Sequence, residues 1–312
     1  VKPGFGEEGF DEAYQAALEK ARKPAAHSIS ASKGTLRWAW LLYQQSGAWT
    51  SLSKGTRRAR DNIMKHVLEA AGSEPLGRIT SAAVQDGLDR RKMTPFGANN
   101  FLTTMRVFFD WLKDNKHVRT NPCDGLSVKK PKTRGFLEWS YEDILKYEER
   151  WPLGTRERVM LDVYMYTGLR RGDAARVGPG HVHNDTISLV TEKSQGQTAV
   201  HLPLLAALKA TLAAGPTGKL SFICKADGAP YVKESLGNAF KDACVAAGVL
   251  DKSAHGLRKA AATRAAENGA TAHELMAIFG WIDIKEAEIY TRAADRKRLA
   301  MQAMNKLEPR TS

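Results

Sequence analysis

Three short segments carry side chains suited to gripping an anion. Thr167-Gly-Leu-Arg170-Arg171-Gly-Asp173 lies where one helix stops at Gly168 and another begins, a junction that fixes the backbone and lets an arginine project into a cleft. His255-Gly-Leu-Arg258 opens a later helix; at i and i+3 the imidazole and guanidinium share a face and converge on one anion. Gly280-Trp281 follows an apolar helix, and Tyr290 comes nine residues later in Ala-Glu-Ile-Tyr-Thr-Arg. Singly, each is commonplace, and a helical tyrosine packs far more often than it reacts. Other constellations are weaker. His181-Val-His183 has no third ligand at sensible spacing and reads as a pair of solvated loop histidines, not a metal site. Gly215-Pro-Thr-Gly-Lys-Leu lacks the upstream glycine and the hydroxyl residue of a phosphate-binding loop and reads as a turn. Cys123, Cys224 and Cys244 are far apart and read as reduced, buried thiols. Neither a metal nor a cofactor is expected.

Taken in order, the three segments resemble the tyrosine recombinase and phage integrase family. Its catalytic domain carries arginine in a T-G-L-R-x-x-[E/D] segment, a hairpin lysine, H-x-x-R, histidine or tryptophan after a glycine, and finally tyrosine. The resemblance covers residues 28 to 305 and implies catalytic roles for Arg170, Lys193, His255, Arg258, Trp281 and Tyr290, with Asp173 as the supporting acid. Trp281 stands where many members have histidine, and Asp173 where many have glutamate. An indole N–H donates but cannot take up a proton, so Trp281 is assigned phosphate binding and packing. Arg171 falls outside the Gly-Leu-Arg register and reads as a surface or DNA-facing charge. Lys219 and Lys225 are competitors for the role of Lys193 that geometry must separate.

The implied reaction explains the residue types. Attack on a DNA phosphodiester raises the charge on its non-bridging oxygens, and Arg170 and Arg258 supply planar, permanently charged donors for them. A phenol of reference pKa about 10 is mostly neutral at pH 7, so Tyr290 needs nearby cations and a proton acceptor, His255. Lys193 protonates the departing 5′ oxygen. The resulting 3′-phosphotyrosine conserves the phosphodiester's energy, so rejoining requires neither ATP nor metal.

The elements that must position these residues divide the chain. Residues 1–27 contain an amphipathic helix, Phe10 to Arg22, which reads as the remnant of an arm-binding domain removed upstream, the first residue being Val1. Residues 28–125 are helical throughout, with breaks at Gly47, Gly72 to Pro75 and Thr94-Pro95 that leave four helices. In the last, Phe101, Met105, Phe108, Phe109 and Leu112 form an apolar stripe. Residues 126–136 form a basic linker; residues 137–308 are the catalytic domain, with a tail at 309–312. Ser140 with Asp143 starts its first helix, and Thr186 to Val190 with Thr198 to Leu202 form a hairpin. The fold expected is mostly α with a small sheet: a helical core-binding domain plus a tyrosine-recombinase catalytic domain, in a C-shaped clamp around DNA.

Composition agrees. With 43% apolar and 26% charged residues the chain folds into packed domains. A net charge of +13 makes nucleic acid the first partner to consider, with an acidic membrane surface as the other, and the resemblance implies double-stranded DNA. Lys54, Arg57, Arg58, Arg60 and Lys65 cluster on one predicted helix, Arg106 lies on another, and Lys129, Lys130, Lys132 and Arg134 suit tracking a phosphate backbone. Asn99 and Asn100 either read adenine edges or cap their helix. No apolar run approaches the roughly 18 residues of a membrane helix. The expectation is a bacterial cytoplasmic, nucleoid-associated protein with no membrane partner. The resemblance further implies a homotetramer on DNA sites, monomeric without DNA, served by bending and excision proteins, that integrates or excises a prophage or mobile element. A plasmid or chromosome-dimer resolvase of the same family, a type IB topoisomerase and a non-enzymatic DNA-binding regulator are the alternatives. A regulator would be expected to have lost a catalytic side chain, and none is missing.

Overall fold

The computed structural model describes residues 31–131, 135–192 and 198–307. The expected helix at Phe10 to Arg22, and Lys132, Arg134 and Lys193, lie outside the described residues. The chain forms two compact units, Val1–Lys132 and Thr133–Ser312.

In the first unit the described elements are α1 (Leu36–Gln44), α2 (Gly47–Thr50), α3 (Lys54–Ala71), a 3-10 turn (Leu76–Arg78), α4 (Ser81–Asp89) and α5 (Pro95–Asp114). The four expected helices are α1, α3, α4 and α5; the break expected at Gly47 is itself one helical turn. Starts are set by chemistry: the side chains of Thr35, Ser46, Ser53 and Thr80 each accept a first-turn N–H, and Pro95 opens α5. The α5 stripe, Phe101 to Leu112, is buried. Trp40 meets Phe108 and Trp49 edge-on at 5.1 Å, so aromatic rings fill the centre of this core.

The second unit is mostly helical with a small sheet. Its helices are α6 (Tyr141–Arg150), α7 (Arg156–Thr167), α8 (Arg171–Arg176), α9 (Ala206–Ala214), α10 (Lys233–Ala246), α11 (Ala254–Glu267), α12 (Ala272–Phe279) and α13 (Ile284–Ala303). Ser140 and Asp143 form a reciprocal capping box at the start of α6. α7 is buried almost all round, and its Asp162 is satisfied by Arg158 at 2.8 Å and by Thr211. The expected hairpin is β2 (Thr186–Val190) against β3 (Ala199–Pro203), antiparallel, with Ile187 opposite Leu202 and both buried. A third strand, β1 (Val182–His183), extends the sheet in the order β1-β2-β3. Two residues are too few to show a period of two. The legible signal was Asn184-Asp185, both at positive φ, the conformation of a tight two-residue hairpin turn.

Candidate active site

Two helices end in left-handed glycines, and each glycine delivers a site residue. α7 ends at Gly168 (φ +61°), whose N–H bonds the Tyr164 carbonyl at 3.0 Å. The next amide, Leu169 N–H, donates to the Thr167 hydroxyl, and Arg170 then stands half-buried at the start of α8. Gly168 is required twice over, because an added Cβ would also lie 2.4 Å from Phe279 Cε1. Gly168→Ala is expected to lower stability by about 2–5 kcal/mol, summing left-handed strain and overpacking. A urea titration checks this.

α12 ends at Gly280 (φ +59°) and turns into Trp281. Trp281 is buried between two rings, stacked on Phe279 at 4.8 Å and 18° and on Tyr290 of α13 at 5.5 Å and 5°. Burial raises the Tyr290 pKa; Glu138 and Glu286 add to the rise, and Arg258 opposes it. A negative charge beside a phenol disfavours phenolate. Glu138→Gln is therefore expected to move the rise of any Tyr290-dependent rate with pH toward lower pH, measured as a pH–rate profile.

α11 opens with Ser253 as its cap and carries His255 exposed and Arg258 one turn on, 5% exposed. The sequence reading left the Arg258 fork open for phosphate. Instead Nη1 donates to the Gly168 carbonyl and Nη2 donates to the Phe279 carbonyl at 2.7 Å, which leaves three of the five guanidinium N–H groups for a ligand. Burial and the like charge of Arg170 push its pKa down, to about 9, so it stays charged at neutral pH. Two guanidiniums that disfavour each other in this way favour an anion between them.

Arg170, His255 and Arg258 line one cleft of about 470 Å³, together with Phe136, Arg171 and Lys241. Trp281 and Tyr290 are not in its lining; they adjoin it through Arg258, whose Cζ is 5.5 Å from the Trp281 ring centroid. Asp173, 1% exposed, accepts from Arg176 Nη2 at 2.7 Å and from the Glu192 backbone N–H at 2.8 Å. It thus ties α8 to the residue that precedes Lys193. Glu192 is also held by Lys233 at 2.6 Å. Nothing in the sequence marked Glu138, Glu192 or Phe136, because their contacts are to residues far away in the chain.

A model of the phage integrase family matches residues 136–297, more than half of the chain. The chain belongs to the phage integrase family. The tyrosine recombinase XerC of Salmonella typhi is 29% identical over 100 residues, 31% of this chain and 33% of that protein. XerC 2 of Ralstonia nicotianae is 28% identical over 208 residues, 62% of this chain and 60% of that protein. The matched stretches span less than two thirds of either relative. Among solved structures, a lambda integrase dimer bound to a COC′ core site has a TM-score of 0.70 at 18% identity and covers 82% of this chain and 95% of that one. The Tn1549 transposon integrase with transposon right end DNA has a TM-score of 0.67 at 16% identity, covering 85% and 99%. Both share the fold.

The cations expected to face DNA in this integrase-family chain separate into two groups. Lys54, Arg58, Lys129 and Lys130 are exposed, and Arg57 is half-buried. Arg60, one turn on from Arg57, donates to the Tyr43 hydroxyl at 2.9 Å. Arg106 is covered by the chain leaving α5: its Nη2 donates to the Leu126 carbonyl at 2.6 Å, and Asn121 folds back onto Asp110 at 2.7 Å. Both are half-buried, as Arg57 is. Asn99 and Asn100 lie one turn inside α5, which excludes a capping role for either. His181 sits in a 3-10 turn and His183 in β1, so the loop expected for the pair is corrected. Among the described residues no cluster of three metal-ligating side chains occurs, and no helix is long and apolar enough to cross a membrane.

Proposed function

We propose that this protein is a site-specific DNA recombinase of the integrase kind. The observation that carries the proposal is the convergence of Arg170, Arg258 and His255 on one cleft, with Tyr290 beside it. The Tyr290 Oη forms a bond to the scissile phosphorus as the bond to the 5′ oxygen breaks; His255 takes the phenol proton, and Lys193 gives one to the 5′ oxygen. Arg170 and the uncommitted N–H groups of Arg258 neutralise the charge that builds on the non-bridging oxygens. Trp281 holds the phenol ring in a stack, and Asp173 anchors the strand that leads to Lys193. Reversal on a new 5′-hydroxyl rejoins the strands. Both units engage the same DNA, Lys54, Arg57, Arg58, Lys129 and Lys130 by way of its phosphates, and four protomers act on two sites. The exposed apolar Leu299, Met301, Met304 and Leu307 suit contacts between protomers in that assembly.

The test is incubation with a nicked duplex that carries the attachment site, followed by protease digestion and mass mapping of the DNA-linked peptide. A phosphotyrosine at Tyr290 supports the proposal; no adduct, or an adduct elsewhere, overturns it. The XerC relatives favour a second reading, a resolvase of the same family. Recombination between two identical sites supports that reading, and recombination between two unlike sites supports the integrase.

A further inference from the structure

We infer that Phe136 is a positioning residue for His255. The segment 136–139 is strapped across the first turn of α11 by successive contacts. Lys259 Nζ donates to the Phe136 carbonyl at 2.9 Å. The Leu137 carbonyl occupies the space a Cβ on Gly256 would need, 2.0 Å away, so the strap can lie this close only over glycine. Lys252 Nζ donates to the Glu138 carbonyl and pairs with Asp143 at 2.7 Å. Trp139 Nε1 donates to the Ser253 carbonyl at 3.0 Å. With its backbone so held, the Phe136 ring meets the His255 ring at 4.8 Å and 60°.

Core packing does not explain this ring, since Phe136 is 56% exposed. Its position lines the cleft with His255, Arg170 and Arg258. The terminal torsion of a histidine is broad and two-fold, and a general base must aim one nitrogen at the proton it takes. A ring against the imidazole limits that rotation. This role rests on the recombinase reading above, in which His255 is the base.

Two measurements test it. In NMR spectra the His255 Cε1 proton, assigned through His255→Asn, is expected to show a ring-current shift that Phe136→Ala removes and Phe136→Tyr keeps. This readout needs no cleavage. In single-turnover cleavage of a nicked site, Phe136→Ala is expected to be about tenfold slower, as misorientation at a reacting group predicts. DNA affinity should stay within about twofold, Phe136→Tyr should restore the rate, and Phe136→Ala should cost nothing further in a His255→Ala background. An unmoved NMR signal, or an equal loss in both backgrounds, overturns the inference while the recombinase reading stands. A wild-type protein that cleaves nothing removes that reading and this role with it.

Discussion

Tyr290→Phe is expected to fold as stably as wild type, bind the same DNA, and form no detectable covalent adduct. What the substitution keeps is the ring: parallel to Trp281 at 5.5 Å, it remains in the stack that places it. What it removes is one hydroxyl on a half-buried side chain. Stability should therefore stay within about 0.5 kcal/mol. Denaturing gels with a nicked duplex read the adduct, and filter binding reads affinity. A variant that still forms adduct at the wild-type rate places the nucleophile elsewhere.

Arg258→Ala carries the second large effect, and it is double. Loss of a single donor to a developing oxyanion costs about 10²–10³ in rate. The Gly168 and Phe279 carbonyls also lose their donor. Each carbonyl left buried without a partner costs about 1–3 kcal/mol, so a loss of about 2–6 kcal/mol is expected before any cavity is counted. Arg258→Lys restores charge, but its compact ammonium is poorly shaped to span both carbonyls, and it should recover little of either loss. Arg170→Ala is the contrast, because Arg170 makes no capping bond to its helix: a comparable fall in rate is expected with a small change in stability. Urea midpoints and single-turnover rates separate the two. An Arg258→Ala protein of unchanged midpoint would show that the carbonyl bonds do not hold the junction together.

These expectations show where the sequence was informative. The α5 stripe, the β2–β3 pair, the Ser140 capping box and the glycine stop at Gly168 are local patterns, and local patterns survive in a string of letters. The order of Arg170, His255, Arg258, Trp281 and Tyr290 was legible for another reason, as a family's arrangement. Contacts between distant residues were not legible. Arg60 and Arg106 look like surface cations until Tyr43 and the Leu126 carbonyl are brought to them. Trp281 could be assigned a donor's role from its indole, but its place between two rings depends on where Gly280 turns the chain. The strap from Phe136 to Trp139 depends on partners 114 to 123 residues away.

The two carbonyl bonds of Arg258 also bear on how the protein comes into being. They join residues 90 and 21 positions apart, so the guanidinium cannot settle until the chain from α7 to α12 has closed on itself. Closure of long loops precedes any reward from the contacts they make, and such contacts form late. A partly unfolded chain therefore has the tyrosine without the Arg258 junction beside it. Under the proposed recombinase function, that couples the capacity to cut to the completion of folding.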